Sequence, residues 1–353
     1  MYKTTNGQTL KLGKELGKGG AGTVYFHATD TSKAIKIFKP QILQSEANLA
    51  KRIEKLNQLS QIADIEIPFG NSKKSIGAWP KDIVKDISGN IVGYIMDTVN
   101  GGIDLSYVVM ARDPKTAFYK YRNHPNYASW QKYFLYQDRG LKNRFILAYY
   151  ISMYFDKIYS LKTKSGAKIE LEICNFDIKP QNILASIENI GGQDHIVPYI
   201  LDLDNLTLKN NTNKLSPTSA QFTPEYRAPE GPLDKFYDYW SLAVLFYQLI
   251  FNQHPFDAVL GGTRFSDGTE RDFFIKNKCF PWGRNRKFLS VGTQNDFRHG
   301  NFLKVSTEIQ QLFIRAFDSD IPSQRPSMAE WSKVFLTYLQ NSSVQFDTLF
   351  MYK

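Results

Sequence analysis

Cysteine is almost absent from this sequence: Cys174 and Cys279 are the only two among 353 residues. That excludes a disulfide framework, and neither cysteine sits at metal-ligand spacing, so the chain suits a reducing compartment. Long apolar runs are missing too. The longest, Trp240 to Phe251, is interrupted by Ser241 and Gln248 and is too short to cross a bilayer. The opening residues, Met1 to Gln8, have no apolar stretch of the kind a signal peptide needs. No membrane association is expected, and the expected location is cytoplasmic. Internal repeats, low-complexity tracts and long charge blocks are also lacking, which removes solenoids and disordered linkers.

What is present is the balance of a globular protein, with 42% hydrophobic, 14% aromatic and 22% charged residues. Lys and Arg number 44 against 34 Asp and Glu, a formal net charge of +10. Such an excess attracts anions without saying which. The densest basic and aromatic stretch, from Lys120 through Trp130 to Arg144, reads as a solvated helix face, because no nucleic-acid signature accompanies it. Nucleic acid is not an expected partner.

Residues 9 to 38 read as three strands, Leu10 to Leu16, Thr23 to Ala28 and Lys33 to Phe38, joined by a glycine turn and a polar turn. Leu49, Ile53 and Leu56 then recur at helical spacing, predicting a helix from Leu43 to Leu59 with one buried face. Two strand-like runs follow, near Ser75 to Trp79 and Asn90 to Met96. Beyond Val99 long helical patterns dominate, at about Lys142 to Leu161, Tyr237 to Phe251, Ser306 to Phe317 and Met328 to Leu339. Strands first and helices afterwards predict two lobes of different architecture.

Gly17-Lys-Gly-Gly-Ala-Gly22-Thr-Val24 fits a glycine-rich phosphate loop, but between two strands, which argues against a dinucleotide site of the strand-to-helix type. Glycines at 17, 19 and 22 let backbone N–H groups approach phosphates without side-chain obstruction. Lys36, in Ala34-Ile-Lys36, follows on the next strand. Asn175-Phe-Asp-Ile-Lys-Pro-Gln-Asn182 carries Asp, Lys, Pro and Asn at fixed spacing, and Leu201-Asp-Leu-Asp204 follows after an insertion rich in glycine and polar residues. Further on come Thr223-Pro-Glu-Tyr-Arg-Ala-Pro-Glu230, Asp238-Tyr-Trp-Ser-Leu242 and Gln324-Arg-Pro-Ser327.

In these motifs the sequence resembles the protein kinase family, from about residue 9 to residue 340 and in the family's order. The resemblance implies an α+β, two-lobed protein kinase fold: a small antiparallel β-sheet lobe with one main helix over residues 1–97, and a larger, mainly helical lobe over 98–340. Residues 341–353 would be a tail. It implies ATP as cofactor with Mg²⁺, or Mn²⁺ in its place. Gly17, Gly19, Gly22, Val24, Ala34 and Lys36 would hold the nucleotide from above. Met96, Asp97 and Val99 would receive the adenine, with Leu184 beneath it. Asp177 would take the substrate hydroxyl proton, Lys179 would neutralise the moving phosphoryl group, and Asn182 and Asp202 would bind the metal.

Lys36 needs a carboxylate partner, for which Glu46 and Glu54 compete. Spacing from Lys36 favours Glu54, whereas Glu46 shares the apolar face of Leu49, Ile53 and Leu56, so Glu46 is chosen. By resemblance the activity is a serine/threonine protein kinase acting on protein hydroxyls, autophosphorylation included, and Glu230 would pair with Arg325. The alternatives are a nucleotide-binding pseudokinase scaffold, or the same fold with nucleotidyl-transfer chemistry or a non-protein acceptor. Three departures from the family pattern stand out: Asn175 and Phe176 replace His and Arg of the catalytic loop, and Asp204 replaces the Gly after the metal-binding Asp. Ala78-Trp-Pro-Lys-Asp82 and Leu201 to Asp204 look like a bacterial subgroup of kinase-like proteins, some associated with a phosphatase partner.

Overall fold

The computed structural model describes residues 1–62, 65–99, 101–109, 122–123, 125–134, 137–160, 172–209, 214–217, 223–231, 234–257, 270–290 and 297–346. The small lobe is built on strands β1 (Tyr2–Lys3), β2 (Thr9–Leu10), β3 (Leu12–Lys18), β4 (Gly22–His27) and β5 (Lys33–Phe38). Helices α1 (Pro40–Ser45) and α2 (Leu49–Ile62) follow, then a two-stranded hairpin of β6 (Glu66–Phe69) and β7 (Ser72–Ser75), then β8 (Asp82–Lys85) and β9 (Ile91–Asp97). Seven of these strands form one antiparallel sheet in the order β2-β1-β8-β9-β5-β4-β3.

Alternation along β5 decides what each face does. Ile35 joins Leu10, Val84, Val92 and Ile95 in one small core. The opposite face carries Phe38 and Tyr94 against Leu49 and Ile53 of α2, with Lys36 in their midst. The expected single helix is thus two, because the chain turns at Glu46, the C-cap of α1 with φ −101° and ψ 80°. Leu49, Ile53 and Leu56 are buried as their spacing predicts.

The β6–β7 hairpin follows the small-lobe helix in the chain but packs on the large lobe. Ile65, Ile67, Phe69 and Ile76 belong to the large-lobe core, and the Phe69 ring lies 4.4 Å from that of Tyr150. Ile76 and Ala78 then bond the backbone on either side of Ile200: Ile200 N–H donates to Ile76 O at 2.8 Å, and Ala78 N–H to Ile200 O at 2.9 Å. Two residues later comes Asp202, so this pairing ties the small lobe to the segment that carries the candidate metal ligand. The polar insertion is itself an antiparallel hairpin, Ile183–Ile190 paired with Gln193–Ile200, turning at Gly191 and Gly192, both with positive φ.

The large lobe surrounds the helix Lys235–Phe251, whose residues from Tyr237 to Phe251 are all buried. A helix apolar on every side must lie inside, and that explains the long hydrophobic run in the sequence. Asp234 caps its start by accepting from Phe236 N–H at 2.8 Å, and Asn252 ends it in the left-handed region at φ 53°. Around it pack the helices Gln137–Tyr159, Thr307–Asp318 and Met328–Gln340. The last opens with a reciprocal capping box between Ser327 and Glu330. Trp130, from the basic and aromatic stretch, is 1% exposed and belongs to this core. The C-terminal segment is not wholly a tail: Phe346 is buried, its ring 5.7 Å from those of Phe145 and Tyr338. Among the described residues no helix is long and apolar enough to cross a membrane.

Candidate active site

Strand pairing brings Lys36 opposite Val24 on one side and Tyr94 on the other. The lysine is 4% exposed, so its ammonium needs partners that outweigh the loss of water. They are both on the Leu201–Asp204 segment. Lys36 Nζ donates to Asp204 Oδ1 at 2.7 Å and to Asp202 Oδ1 at 3.0 Å. Burial by itself would lower the Lys36 pKa, but the two carboxylates reverse that and hold it above its ordinary value. Lys36 in turn holds the Asp202 carboxyl below its usual range, against the opposing effect of burial.

The expected role of Glu46 needs correction. Glu46 is buried and lines the cleft, but it forms an ion pair with Arg52, at 3.3 Å. Arg52, 2% exposed, also donates to Asp204 O at 2.8 Å and Leu206 O at 3.3 Å. Tyr94 completes the cluster with its hydroxyl donating to Asp204 Oδ1 at 2.7 Å. Burial, then the neighbouring Asp204 charge, pushes the Tyr94 pKa well up, so its proton stays in that bond. Glu54 is exposed on α2.

The second half of the site is held from below. Asn175 N–H and Phe176 N–H donate to the carboxylate of Asp238, at 2.8 and 3.0 Å, and Tyr159 donates to it at 3.0 Å. Asp238 is fully buried, and that burial raises its pKa well above the usual carboxylate value. Asn175 takes the left-handed conformation, φ 58°, turning the chain so that Phe176 points into the core. The Phe176 ring lies 5.1 Å from Phe155 and 6.2 Å from Tyr159. Asp177, the next residue, lines the cleft.

Around Asp177 the geometry is tight. Thr223 Oγ1 donates to Asp177 Oδ1 at 3.2 Å and accepts from Lys179 Nζ at 3.1 Å, while Lys179 is ion-paired with Asp177. Asn182 Nδ2 donates to Asp177 O at 2.8 Å, and Asn182 O accepts from Leu201 N–H at 2.8 Å. Asp202 has φ 54°, a conformation costly for a non-glycine residue and one that concentrates at functional sites. Behind Thr223, Tyr226 donates to Gln248 at 2.6 Å, and Glu230 and Arg325 form a two-pronged ion pair, with Arg325 NH2 donating to Glu230 Oε2 at 2.8 Å.

A cleft of about 160 Å³ joins the two halves, with Lys36, Glu46, Asp177, Lys179 and Asp202 in its walls. The glycines above it differ in what they need. A Cβ on Gly22 would lie 2.4 Å from Ile37 O, so strand packing alone demands glycine there. A Cβ on Gly17 would meet nothing within 4 Å, and on Gly19 only Gly22 O at 3.9 Å. Protein packing does not require glycine at those two positions; room for a phosphate would. The apolar corner expected for adenine also assembles. Gly102 lets Val99 and Leu184 close in, since a Cβ there would sit 3.4 Å from Val99 and 3.0 Å from Leu184. Met96 packs by the Phe38–Tyr94 cluster and Ala34 faces it across the β5–β9 ladder. Asp97 is exposed and ion-paired with Lys33.

Among the described residues no cluster of three or more His, Cys, Asp or Glu could hold a metal alone. Asp202, its side chain half exposed at 50%, and the amide oxygen of Asn182 are the two hard oxygen donors expected to hold a metal. That small set fits Mg²⁺, which takes one or two protein ligands and completes its shell with phosphate oxygens and water. Sequence reasoning missed Thr223, Arg52 and Tyr94 as members of the site, and gave Asp204 only as a departure. Thr223 had a signal in its T-P-E-Y context; Arg52 and Tyr94 had none, because only the fold brings them to Asp204.

Two comparisons with known proteins give matches. The protein kinase domain family matches residues 169–335, the stretch that contains Asp177, Asn182, Asp202, Thr223 and Arg325. Serine/threonine-protein kinase sck2 of Schizosaccharomyces pombe (strain 972 / ATCC 24843) is 32% identical over 82 residues, which cover 23% of this chain and 12% of that protein. The match thus spans about one eighth of that relative's length. Residues 169–335 thus match a protein kinase domain, and the strand-built lobe that carries a buried lysine over the Asp-Lys-Asn loop is consistent with the two-lobed fold of the protein kinase superfamily.

Proposed function

We propose that this protein is a serine/threonine protein kinase that uses ATP and Mg²⁺ to phosphorylate protein hydroxyls, itself included. The observation that carries the reading is the Asp177–Lys179–Thr223 triangle opening on the same cleft as Lys36 and Asp202. Asp177 accepts the proton of an incoming hydroxyl and aims its oxygen; Lys179 stands ready to balance charge gathering on the transferred group. Lys36 anchors the phosphates, and the glycines at 17 and 19 leave the backbone of that loop open toward them. Asn182 and Asp202 hold the metal, which when bound neutralises charge on the phosphates. Residues 1–97 serve as the nucleotide lobe and 98–340 as the substrate lobe. Both cysteines are buried free thiols, in keeping with a cytoplasmic protein.

Serine or threonine specificity is supported by Lys179 within the loop, by Thr223 bridging it, and by the partial match to a serine/threonine kinase. Intact mass measured after incubation with ATP, Mg²⁺ and a generic protein acceptor, beside Asp177→Asn, tests the reading. One phosphate gained with the wild type alone supports it. No gain, with nucleotide still bound, would favour the pseudokinase scaffold, and label transferred from α-labelled ATP would favour nucleotidyl transfer.

A further inference from the structure

Kinase-like sites need a buried carboxylate to hold the phosphate-anchoring lysine, and here two segments compete for that part. We infer that Asp204, not a glutamate of the small-lobe helices, is the positioning carboxylate for Lys36, and that Tyr94 and Arg52 hold Asp204 in place for it. The inference rests on the phosphotransfer reading above for its consequence, but not for its geometry.

Five observations carry it. Asp204 and Lys36 are 3% and 4% exposed, and their contact at 2.7 Å is shorter than that of Lys36 with Asp202. Asp204 Oδ1 receives a second donor, the Tyr94 hydroxyl, which sits directly across the β5–β9 ladder from Lys36. The Asp204 main chain is fixed separately by the Arg52 guanidinium through its carbonyl. Glu46 engages that same guanidinium, so its influence reaches Asp204 through Arg52. Asp202, by contrast, has a half-exposed side chain and can leave Lys36 to take up a metal.

The arrangement has a mechanical consequence. A lysine anchored by a helix glutamate loses its anchor when that helix swings away. Lys36 is anchored instead by the residue two places beyond the metal-binding Asp202, so phosphate anchor and metal ligand move as one segment. That segment follows Ile200, whose backbone is itself bonded to Ile76 and Ala78 in the stretch that leads from the β6–β7 hairpin back to β8. Glycine, the family's usual residue at this position, could not supply the carboxylate.

Lysine-selective ¹⁵N NMR of the nucleotide-free protein reads the anchor directly, with the Lys36 ammonium signal assigned through Lys36→Arg. It should move in Asp204→Asn and in Tyr94→Phe, and should stay in place in Glu54→Gln. With ATP and Mg²⁺, Asp204→Asn should lower kcat by about 10²-fold while the ATP KM changes by less than about threefold, the pattern of a misplaced anchor. Glu46→Gln should cost less than Asp204→Asn. Melting curves identify variants that fail to fold, and if Asp204→Asn is one of them, Tyr94→Phe decides.

An ammonium signal unmoved in Tyr94→Phe and Asp204→Asn overturns the inference, as does one moved equally by Glu46→Gln. So does a raised Mg²⁺ requirement in Asp204→Asn with the ammonium signal in place, which would make Asp204 a metal ligand. The two readings separate cleanly. A wild type that transfers no phosphate while its Lys36 signal responds as expected would sink the phosphotransfer reading and leave the anchor standing. Transfer with an unresponsive Lys36 signal would do the reverse.

Discussion

Lys36 and Arg325 are both buried cations facing carboxylates, one in the cleft and one beneath the Thr223–Glu230 segment, and they are built in opposite ways. Arg325 meets Glu230 through two nitrogens, donates to Phe236 O at 2.8 Å, and lies 5.1 Å from the centre of the Trp240 ring. A planar guanidinium fixed at so many points has one geometry. Lys36 is a point charge shared between two carboxylates of one segment, one buried and one half exposed. That surplus of negative charge around one ammonium can be redistributed when a metal or phosphate arrives. The first pair is made to stay, the second to exchange a partner.

The sharpest way to break this comparison is to remove the cleft cation. Lys36→Met and Asp202→Ala should each lower phosphotransfer by about 10³-fold or more, since one takes away the proposed phosphate anchor and the other a proposed ligand of the charge-neutralising metal. Asp202→Ala should melt near the wild type, whereas Lys36→Met, which leaves the buried Asp204 without its cation, should melt lower yet remain folded. A folded variant of either kind with wild-type rates would show that the nucleotide lies elsewhere.

Arg325→Met should do the reverse. It leaves Glu230 without its partner and opens a gap over Trp240, and breaking one side of a buried ion pair costs about 3–5 kcal/mol. Because Glu230 keeps 22% side-chain exposure, the lower end of that range applies. Urea unfolding gives the measurement. A midpoint equal to the wild type would mean that the pair contributes nothing and that Lys36 and Arg325 differ less than their geometry says.

How far the sequence shows these two settings depends on the distance over which each is built. The Asp177, Lys179 and Asn182 loop can be picked out as a candidate because its residues lie within one short segment at a fixed spacing. The buried helix Lys235–Phe251 is legible because an unbroken apolar run has nowhere else to go. The partner of Lys36 is not. Helical phase correctly buries Leu49, Ile53 and Leu56, but it assigns Glu46 to the same helix, whereas the turn at Glu46 hands it to Arg52. Asp204 lies 168 positions from Lys36, and no local pattern reports a contact at that range. The β6–β7 hairpin was hidden for a related reason: its strands are short, and the surface they cover belongs to the other lobe.

A finer test concerns the two glutamates. Glu46 is buried and coupled to the Lys36 site through Arg52, while Glu54 is exposed. Glu46→Gln weakens a charge-assisted bond and should cost about tenfold in kcat, and Glu54→Gln should cost nothing measurable. Initial rates at saturating ATP decide it. The reverse order would return the anchoring role to α2 and remove the distinction between a lysine held by its own segment and one held by a helix.

The smallest expected effect is that of phosphate on the loop before Thr223. Many kinases gather such a phosphate with an arginine beside the catalytic Asp, and here that residue is Phe176, 4% exposed and packed edge-on against Phe155. No cation stands at that position. Ser216 is instead engaged by the Thr207 hydroxyl at 3.2 Å, and Asn175 bonds Thr207 in turn at 3.2 Å. Three short polar side chains therefore link the catalytic loop to the loop that follows Asp204 without any phosphate. Thr218 and Ser219 lie outside the described residues. Protein stripped with a phosphatase, and the triple variant Ser216→Ala, Thr218→Ala and Ser219→Ala, should both work within about twofold of the untreated enzyme, the scale of losing one neutral hydrogen bond. A large loss in both, restored to the stripped wild type by rephosphorylation, would mean that a lysine or arginine elsewhere gathers the phosphate. The cleft would then have a second cation whose partner is exchanged in use, and Lys36 would no longer be alone in that behaviour.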